Sequence, residues 1–243
     1  MREDPLVTVL FLLILFAAFA VQSLTGFGGP PIAMPLGIAV VGVATAKPVI
    51  TLGAWLAGLI VAVKNYKDID WRELAKMSGV MLVFMIAGLW LFKNVQMSYL
   101  QVIYGVIVMA IGLKKLFFPS DKVMPKWLAA AAVCAAGVMQ GLFVSGGSFL
   151  GVYAVSAIPE KQKFRATLSA VWTILNLLLL GSYVLDGSFT PPVLALSAWS
   201  LIPMGAAVAV GSLLANRLKQ QTFLKAAYIL LVISGAVLLI TNL

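Results

Sequence analysis

Two glycine-rich breaks hold most of the side chains in this chain that could do chemistry. The first reads Gln22-Ser23-Leu24-Thr25-Gly26-Phe27-Gly28-Gly29-Pro30-Pro31; the second reads Phe143-Val144-Ser145-Gly146-Gly147-Ser148, with Gln140 just ahead of it. Glycine reaches positive φ without a Cβ clash, so the chain can turn sharply here. Pro30 or Pro31 then suits the first turn of a new helix, where a missing N–H costs nothing. Ser145 or Ser148 offers an N-cap for the helix after the second break. A helix beginning at such a break aims unpaired N–H groups and the positive end of its dipole at whatever precedes it. That arrangement suits an anion. Gly26, Gly28, Gly29, Gly146 and Gly147 would supply backbone N–H groups or the room to approach them. Gln22, Thr25, Gln140, Ser145, Ser148 and Asn176 would add side-chain donors. Gln22 and Gln140 have a second use open to them, binding the carbonyls freed where a helix breaks. One glycine pair alone can equally serve close helix packing. Two pairs at matching places, each opening a short segment, favour a site.

The remaining inventory excludes other chemistries. The 243 residues include one cysteine, Cys134, and no histidine. Neither a disulfide within the chain nor a Cys/His metal cluster can form. Ser145 and Ser148 have no evident base to activate them, so an enzyme is not expected, nor a cofactor or metal. The eight carboxylates (Glu3, Asp4, Asp68, Asp70, Glu73, Asp121, Glu160 and Asp186) fall in termini or polar breaks. The apolar segments therefore carry no proton relay and no acid to hold a cation. Lys47 and Arg165 stand at the starts of apolar segments, where they could gather anions or act as snorkelling anchors. Trp55 and Trp172 read as packing or interface residues.

What must position these groups is a set of membrane helices. Hydrophobic residues make up 62% of the chain and charged residues 10%, with mean hydropathy +1.06. A soluble domain could not cover that much apolar surface. Lipid admits only helices or closed barrels, and the apolar runs are far longer than barrel strands. The expected fold is an all-α polytopic membrane protein. The net charge of +9 is then a matter of orientation, not of nucleic-acid binding. Apolar segments run over 5–25, 30–43, 46–63, 74–92, 99–118, 126–143, 148–158, 165–184, 191–215 and 224–243. Segments 30–43 and 148–158 are too short to cross a hydrocarbon core of ~30 Å as straight helices. The N-terminus lacks the basic start of a signal peptide and reads as a retained first membrane helix.

The breaks expose an internal repeat. At an offset of 118 residues Gln22 meets Gln140, Gly28-Gly29 meet Gly146-Gly147, Lys47 meets Arg165, Thr51 meets Ser169 and Asp68 meets Asp186. The expected organisation is two halves, 1–122 and 123–243, of five segments each. An odd number of segments inverts the second half relative to the first. That topology leaves only Arg2, Lys47 and Lys93 on one side and the other fourteen of the 17 Lys and Arg on the opposite side. Four crossings per half would split them nine to eight, with no bias at all. The positive-inside rule thus favours inverted-topology repeats, with both termini on the outer, periplasmic side of the inner membrane. Each half would contain a Gly-broken helical hairpin, and the two would meet near the midplane, where transporters of this construction bind substrate.

Gly28-Gly29-Pro30 with Pro35 downstream, and Gly146-Gly147-Ser148 with Pro159 downstream, complete the pattern. With its two related halves, the chain resembles the TauE/SafE family of sulfite exporters, also called the four-toluene-sulfonate uptake permease family, over essentially its whole length. The family motif in each half is a glycine triplet, an apolar stretch and a proline; here Pro30 and Ser148 stand where the third glycine would be. The resemblance implies a secondary transporter that moves a small sulfur-containing anion (sulfite, sulfoacetate or another organosulfonate) across the inner membrane by alternating access. Its partners would be that anion and the lipid bilayer, with a coupling ion and an oligomer left open. A channel for an anion or small solute, or a carrier of a small carboxylate, would use the same parts.

Overall fold

A computed structural model describes residues 5–95, 97–117 and 125–214, together with positions 228, 229, 232, 233, 235, 236, 239 and 240. The elements are α1 (Pro5–Thr25), α2 (Gly29–Val41), α3 (Val43–Lys64), a 3-10 turn at Tyr66–Asp68, α4 (Trp71–Asn94), α5 (Met97–Phe117), α6 (Lys126–Phe143), α7 (Gly147–Ala157), α8 (Lys161–Leu185) and α9 (Pro191–Leu214). The described positions from 228 onward are helical too, and no strand occurs among the described residues. Helices α1, α3, α4, α8 and α9 are each long and apolar enough to cross a membrane. The chain is an all-α polytopic membrane protein. Leu13, Val83, Trp90 and Ile202 are exposed on its outer faces, as lipid-facing side chains are. The expected junction at 122–123 and the carboxylates Glu3, Asp4 and Asp121 lie outside the described residues.

Local signals set the helix ends. Asp70 caps α4, its carboxylate accepting from the N–H groups of Arg72 and Glu73 at 3.1 Å each, which satisfies donors the helix cannot pair internally. Glu73 consequently sits in the first turn of α4, not in the preceding loop. The short arms are real: α2 has 13 residues and α7 has 11, about 20 and 16 Å of rise.

The main helix pairings join elements far apart in the chain: α1 with α9, α4 with α6, and α3 with α8. Directions follow from the residues in contact. In the α4–α6 pair, Gly137 lies against Met81 and Gly141 against Met85 and Leu89, so these helices run parallel. In the α3–α8 pair, Lys47 near the start of α3 lies by the Tyr183 ring near the end of α8, while Gly58 lies against Ser169 and Thr173. Those two run antiparallel. The same holds for α5 and the last described positions, with Gly105 against Gly235 and Gly112 against Tyr228.

Glycine permits these close approaches, and the α4–α6 seam is the most sensitive. A methyl on Gly141 would overlap the Met85 carbonyl and lie 2.8 Å from the Leu89 nitrogen, both rigid backbone atoms. Gly141→Ala is expected to cost about 1–3 kcal/mol, read as a fall in melting temperature in detergent. Gly79→Ala, on α4 with nothing within 4 Å of the added methyl, is the control and should not fall.

Candidate functional site

The two breaks occupy equivalent places. α1 ends at Thr25 and α2 begins at Gly29; 118 residues on, α6 ends at Phe143 and α7 begins at Gly147. In the first break Gly26 has φ 81° and Gly28 has φ 95°, a backbone region that glycine enters freely. α2 then takes Pro30 and Pro31 into its first turn. Thr25 stitches the turn: its hydroxyl lies against the carbonyls of Val21 and Phe27 and accepts from the Phe27 N–H at 3.2 Å.

The second break solves the same problem differently. Its left-handed residue is Val144, at φ 57°, in the place of Gly26. Val144 closes α6: its own N–H donates to the Gln140 carbonyl at 3.0 Å, and the Ser145 N–H reaches the Met139 carbonyl at 3.2 Å. That turn directs the Ser145 hydroxyl away from the helix start: it donates to the Phe143 carbonyl (2.9 Å) and shares a 2.5 Å bond with the Tyr104 hydroxyl. The N-cap of α7 is Gly146, with no side-chain cap bond. The expectation of a serine cap is therefore corrected for Ser145; the side chain of Ser148 lies outside the described residues.

The two tips meet. A methyl built on Gly147 would lie 3.4 Å from the Gly28 nitrogen, 3.5 Å from Phe27 Cβ and 3.7 Å from Trp172 Cζ2. Between them is a cavity lined by Gln22, Gly28, Gln140, Gly147 and Asn176 from the expected set, joined by Phe27, Pro30, Pro31, Ala54, Val144 and Trp172. The centre of a water-sized sphere has about 10 Å³ to move in, room for about one water. None of these lining side chains is charged. Pro30 and Pro31 lack N–H groups, so α2 offers fewer free donors than α7, whose first N–H groups come from Gly147, Ser148 and Phe149.

The amides divide the work. Gln22 Nε2 donates to the Ala54 carbonyl at 3.2 Å, and its buried Oε1 has no partner. Gln140 Oε1 accepts from the Gly146 N–H at 3.2 Å while its Nε2 donates to Asn176 Oδ1 at 2.6 Å. Both glutamines thus bind protein groups, Gln22 a carbonyl in the middle of α3 and Gln140 an N–H and a side chain, and none of these bonds is to a carbonyl freed at a break. With Oδ1 engaged, Asn176 has only its Nδ2 donors to present to anything else, the polarity an anion needs. At Gly26, Gly29 and Gly146 the space a side chain would take is filled by neighbouring groups. A Cβ on Gly29 would fall 2.5 Å from Gln22 Oε1, one on Gly26 would fall 3.0 Å from Arg165 Cα, and one on Gly146 would overlap the Ala136 carbonyl.

Three side chains have larger roles than their sequence context suggested. Trp172 walls the cavity and donates its indole N–H to the Gly26 carbonyl at 2.9 Å. The available signal was its spacing, one turn before Asn176 on the same helix face. Lys47 is no surface anchor: it is 4% exposed, donates from Nζ to the Gly141 carbonyl at 3.1 Å and lies 3.2 Å from the Phe92 ring centre. Arg165, half-buried, donates from Nε to the Ser23 carbonyl at 2.8 Å and from Nη2 to Ser212 at 3.2 Å. Ser23 and Gly141 are themselves 118 residues apart. Each cation therefore clasps the carbonyl-rich end of the other broken helix, where a positive charge complements the helix dipole.

Residues 10–238 match the family model described as Sulfite exporter TauE/SafE. No curated protein and no solved structure gave a significant match.

Proposed function

The chain belongs to the sulfite exporter TauE/SafE family, and from that premise we propose that it is a secondary transporter carrying a small sulfur-containing anion across the inner membrane by alternating access. The observation that carries the reading is the meeting of two glycine-rich helix breaks around one small cavity, where the Gln22, Gln140 and Asn176 amides stand among apolar side chains and there is no carboxylate. Helix starts and amide donors stabilise an oxyanion without burying a counter-charge. Sulfite or a sulfonate headgroup presents several acceptor oxygens to such a ring. The unpartnered Oε1 of Gln22 suits a protonated oxygen on the same ligand, as in bisulfite.

An inverted arrangement of the halves 1–122 and 123–243 is supported by several features together. The antiparallel run of α3 against its counterpart α8, the parallel run of α4 against α6, and the matched clasps Lys47–Gly141 and Arg165–Ser23 all fit it. Inversion places both termini on the periplasmic side by the charge rule. The halves would exchange access by rocking about the cavity. Room for about one water is too little for an anion of four heavy atoms, so the tips must part to admit it. A carrier fits that behaviour better than an open channel.

The test is thermal stabilisation of the detergent-solubilised protein by sulfite, sulfate, thiosulfate, sulfoacetate, taurine, acetate and chloride. A ligand at 100 times its dissociation constant should add about 2.7 kcal/mol to the folded state. Selective stabilisation by a sulfur oxyanion is the expected result. Stabilisation by acetate alone would move the substrate class to carboxylates, and none from any anion would remove the reading.

A further inference from the structure

A row of unsatisfied donors runs from the central cavity toward the start of α3, and the cavity does not account for it. Lys47 is buried, yet among the described residues it is in no ion pair; Asp186, at the same end, is taken by Lys93 at 3.0 Å. Beyond its bond to the Gly141 carbonyl and its contact with Phe92, the ammonium has further N–H donors to give. Tyr183 presents its ring 5.8 Å from the same Nζ and is 5% exposed, and its hydroxyl makes no hydrogen bond of ordinary geometry. Thr51, beside it, donates its own hydroxyl to the Lys47 carbonyl at 2.7 Å, and its oxygen keeps lone pairs for Tyr183, although the two do not meet in ordinary hydrogen-bond geometry. One turn further on, the Trp55 indole N–H is also buried without a partner. A buried ammonium with no carboxylate in direct contact, and two buried donors without a well-formed bond, are each costly. Inside a membrane such groups mark ligand routes.

The helix geometry connects them. Lys47, Thr51 and Trp55 recur every four residues on one face of α3. Ala54, in the cavity wall, is seven residues or about 10 Å of rise beyond Lys47. On antiparallel α8, Tyr183 stands seven residues from Asn176, also in that wall. Both flanks of the α3–α8 seam thus lead from the Lys47–Tyr183 cluster to the cavity.

We propose that Lys47 and Tyr183 form a second oxyanion site, a staging post through which the anion passes between the Lys47 end of the membrane and the central cavity. The anion would supply the counter-charge Lys47 lacks and accept the Tyr183 hydroxyl. This inference rests on the carrier reading above. It is tested by sulfite flux into and out of proteoliposomes, with the concentration dependence measured from each face. Tyr183→Phe keeps the ring and removes only a hydroxyl that makes no hydrogen bond of ordinary geometry, so a purely structural tyrosine would leave melting temperature and flux nearly unchanged. The expected result is an apparent KM raised about tenfold from the Lys47 face alone, the size of one lost hydrogen bond, with the sulfite-dependent melting shift retained. Lys47→Met should raise it further and Lys47→Arg should restore part of the loss. Wild-type KM at both faces in Tyr183→Phe would overturn the site while leaving the carrier intact. Wild-type protein that moves no anion would remove the carrier reading, and this site with it.

Discussion

Gly147→Ala is expected to weaken anion binding at least a hundredfold, equivalent to about 2.7 kcal/mol, without lowering the melting temperature of the unliganded protein. The added methyl would sit 3.4 Å from the Gly28 nitrogen and 3.5–3.7 Å from Phe27 and Trp172, all ordinary contact distances. Nothing has to move to accept it, and alanine is a better helix former than glycine by roughly 0.5–1 kcal/mol. The space it takes is nonetheless the space between the tips, where there is room for about one water, and it covers the Gly28 N–H. Binding and folding are thereby separated in one substitution. Gly28→Ala lacks that separation: at φ 95° the backbone itself is strained by a Cβ, by about 1–2 kcal/mol, so stability and binding should fall together. Isotope-labelled sulfite binding alongside melting curves checks both. Wild-type affinity in Gly147→Ala would mean the anion does not bind between the tips.

Gln140→Leu is expected to lower both stability and affinity, and to do so by more than Gln22→Leu. The Gln140 amide satisfies two buried groups at once, the Gly146 N–H at 3.2 Å and Asn176 Oδ1 at 2.6 Å. Removing it strands both, at about 1–3 kcal/mol each. It also frees Asn176 to turn its carbonyl oxygen toward the cavity, replacing donors with an acceptor facing an anion. Gln22 gives only one hydrogen bond, to the Ala54 carbonyl, and its Oε1 is already unpartnered; leucine there leaves that carbonyl to the ladder of α3 and removes one orphan. Melting curves and sulfite affinities for the two variants rank them. A larger loss in Gln22→Leu would mean that the first break, not the second, supplies the dominant contacts.

Much of the architecture could be read directly from the chain. The expected segment 126–143 coincides with α6, and 5–25 with α1, because apolar runs and charged breaks are local properties that lipid imposes on any chain. The two breaks were equally plain, since Gly28 and the proline pair after it permit few other conformations. Ser145 was harder. Its place before Gly146 suggested a cap, but the left-handed Val144 turned it toward Tyr104 on α5, a partner 41 residues away. Lys47 looked like an interfacial anchor because nothing nearby in sequence covers it. Its cover is Phe92 from α4 and Tyr183 from α8.

By itself, then, the sequence determined that the chain is a bundle of membrane helices, where two of them break and which residues recur 118 positions apart. Those properties are written in hydropathy, in the backbone freedom of glycine and in a spacing of 118 residues, and each is set within a few residues of where it acts. Only the tertiary structure decided which donors face the cavity, that Trp172 walls it, and that Lys47 and Arg165 each clasp the other broken helix. These depend on α1, α3, α4, α6, α8 and α9 packing together from distant parts of the chain. Side chains more than a hundred residues apart then compete for the same few buried partners, and no local pattern records which of them prevails.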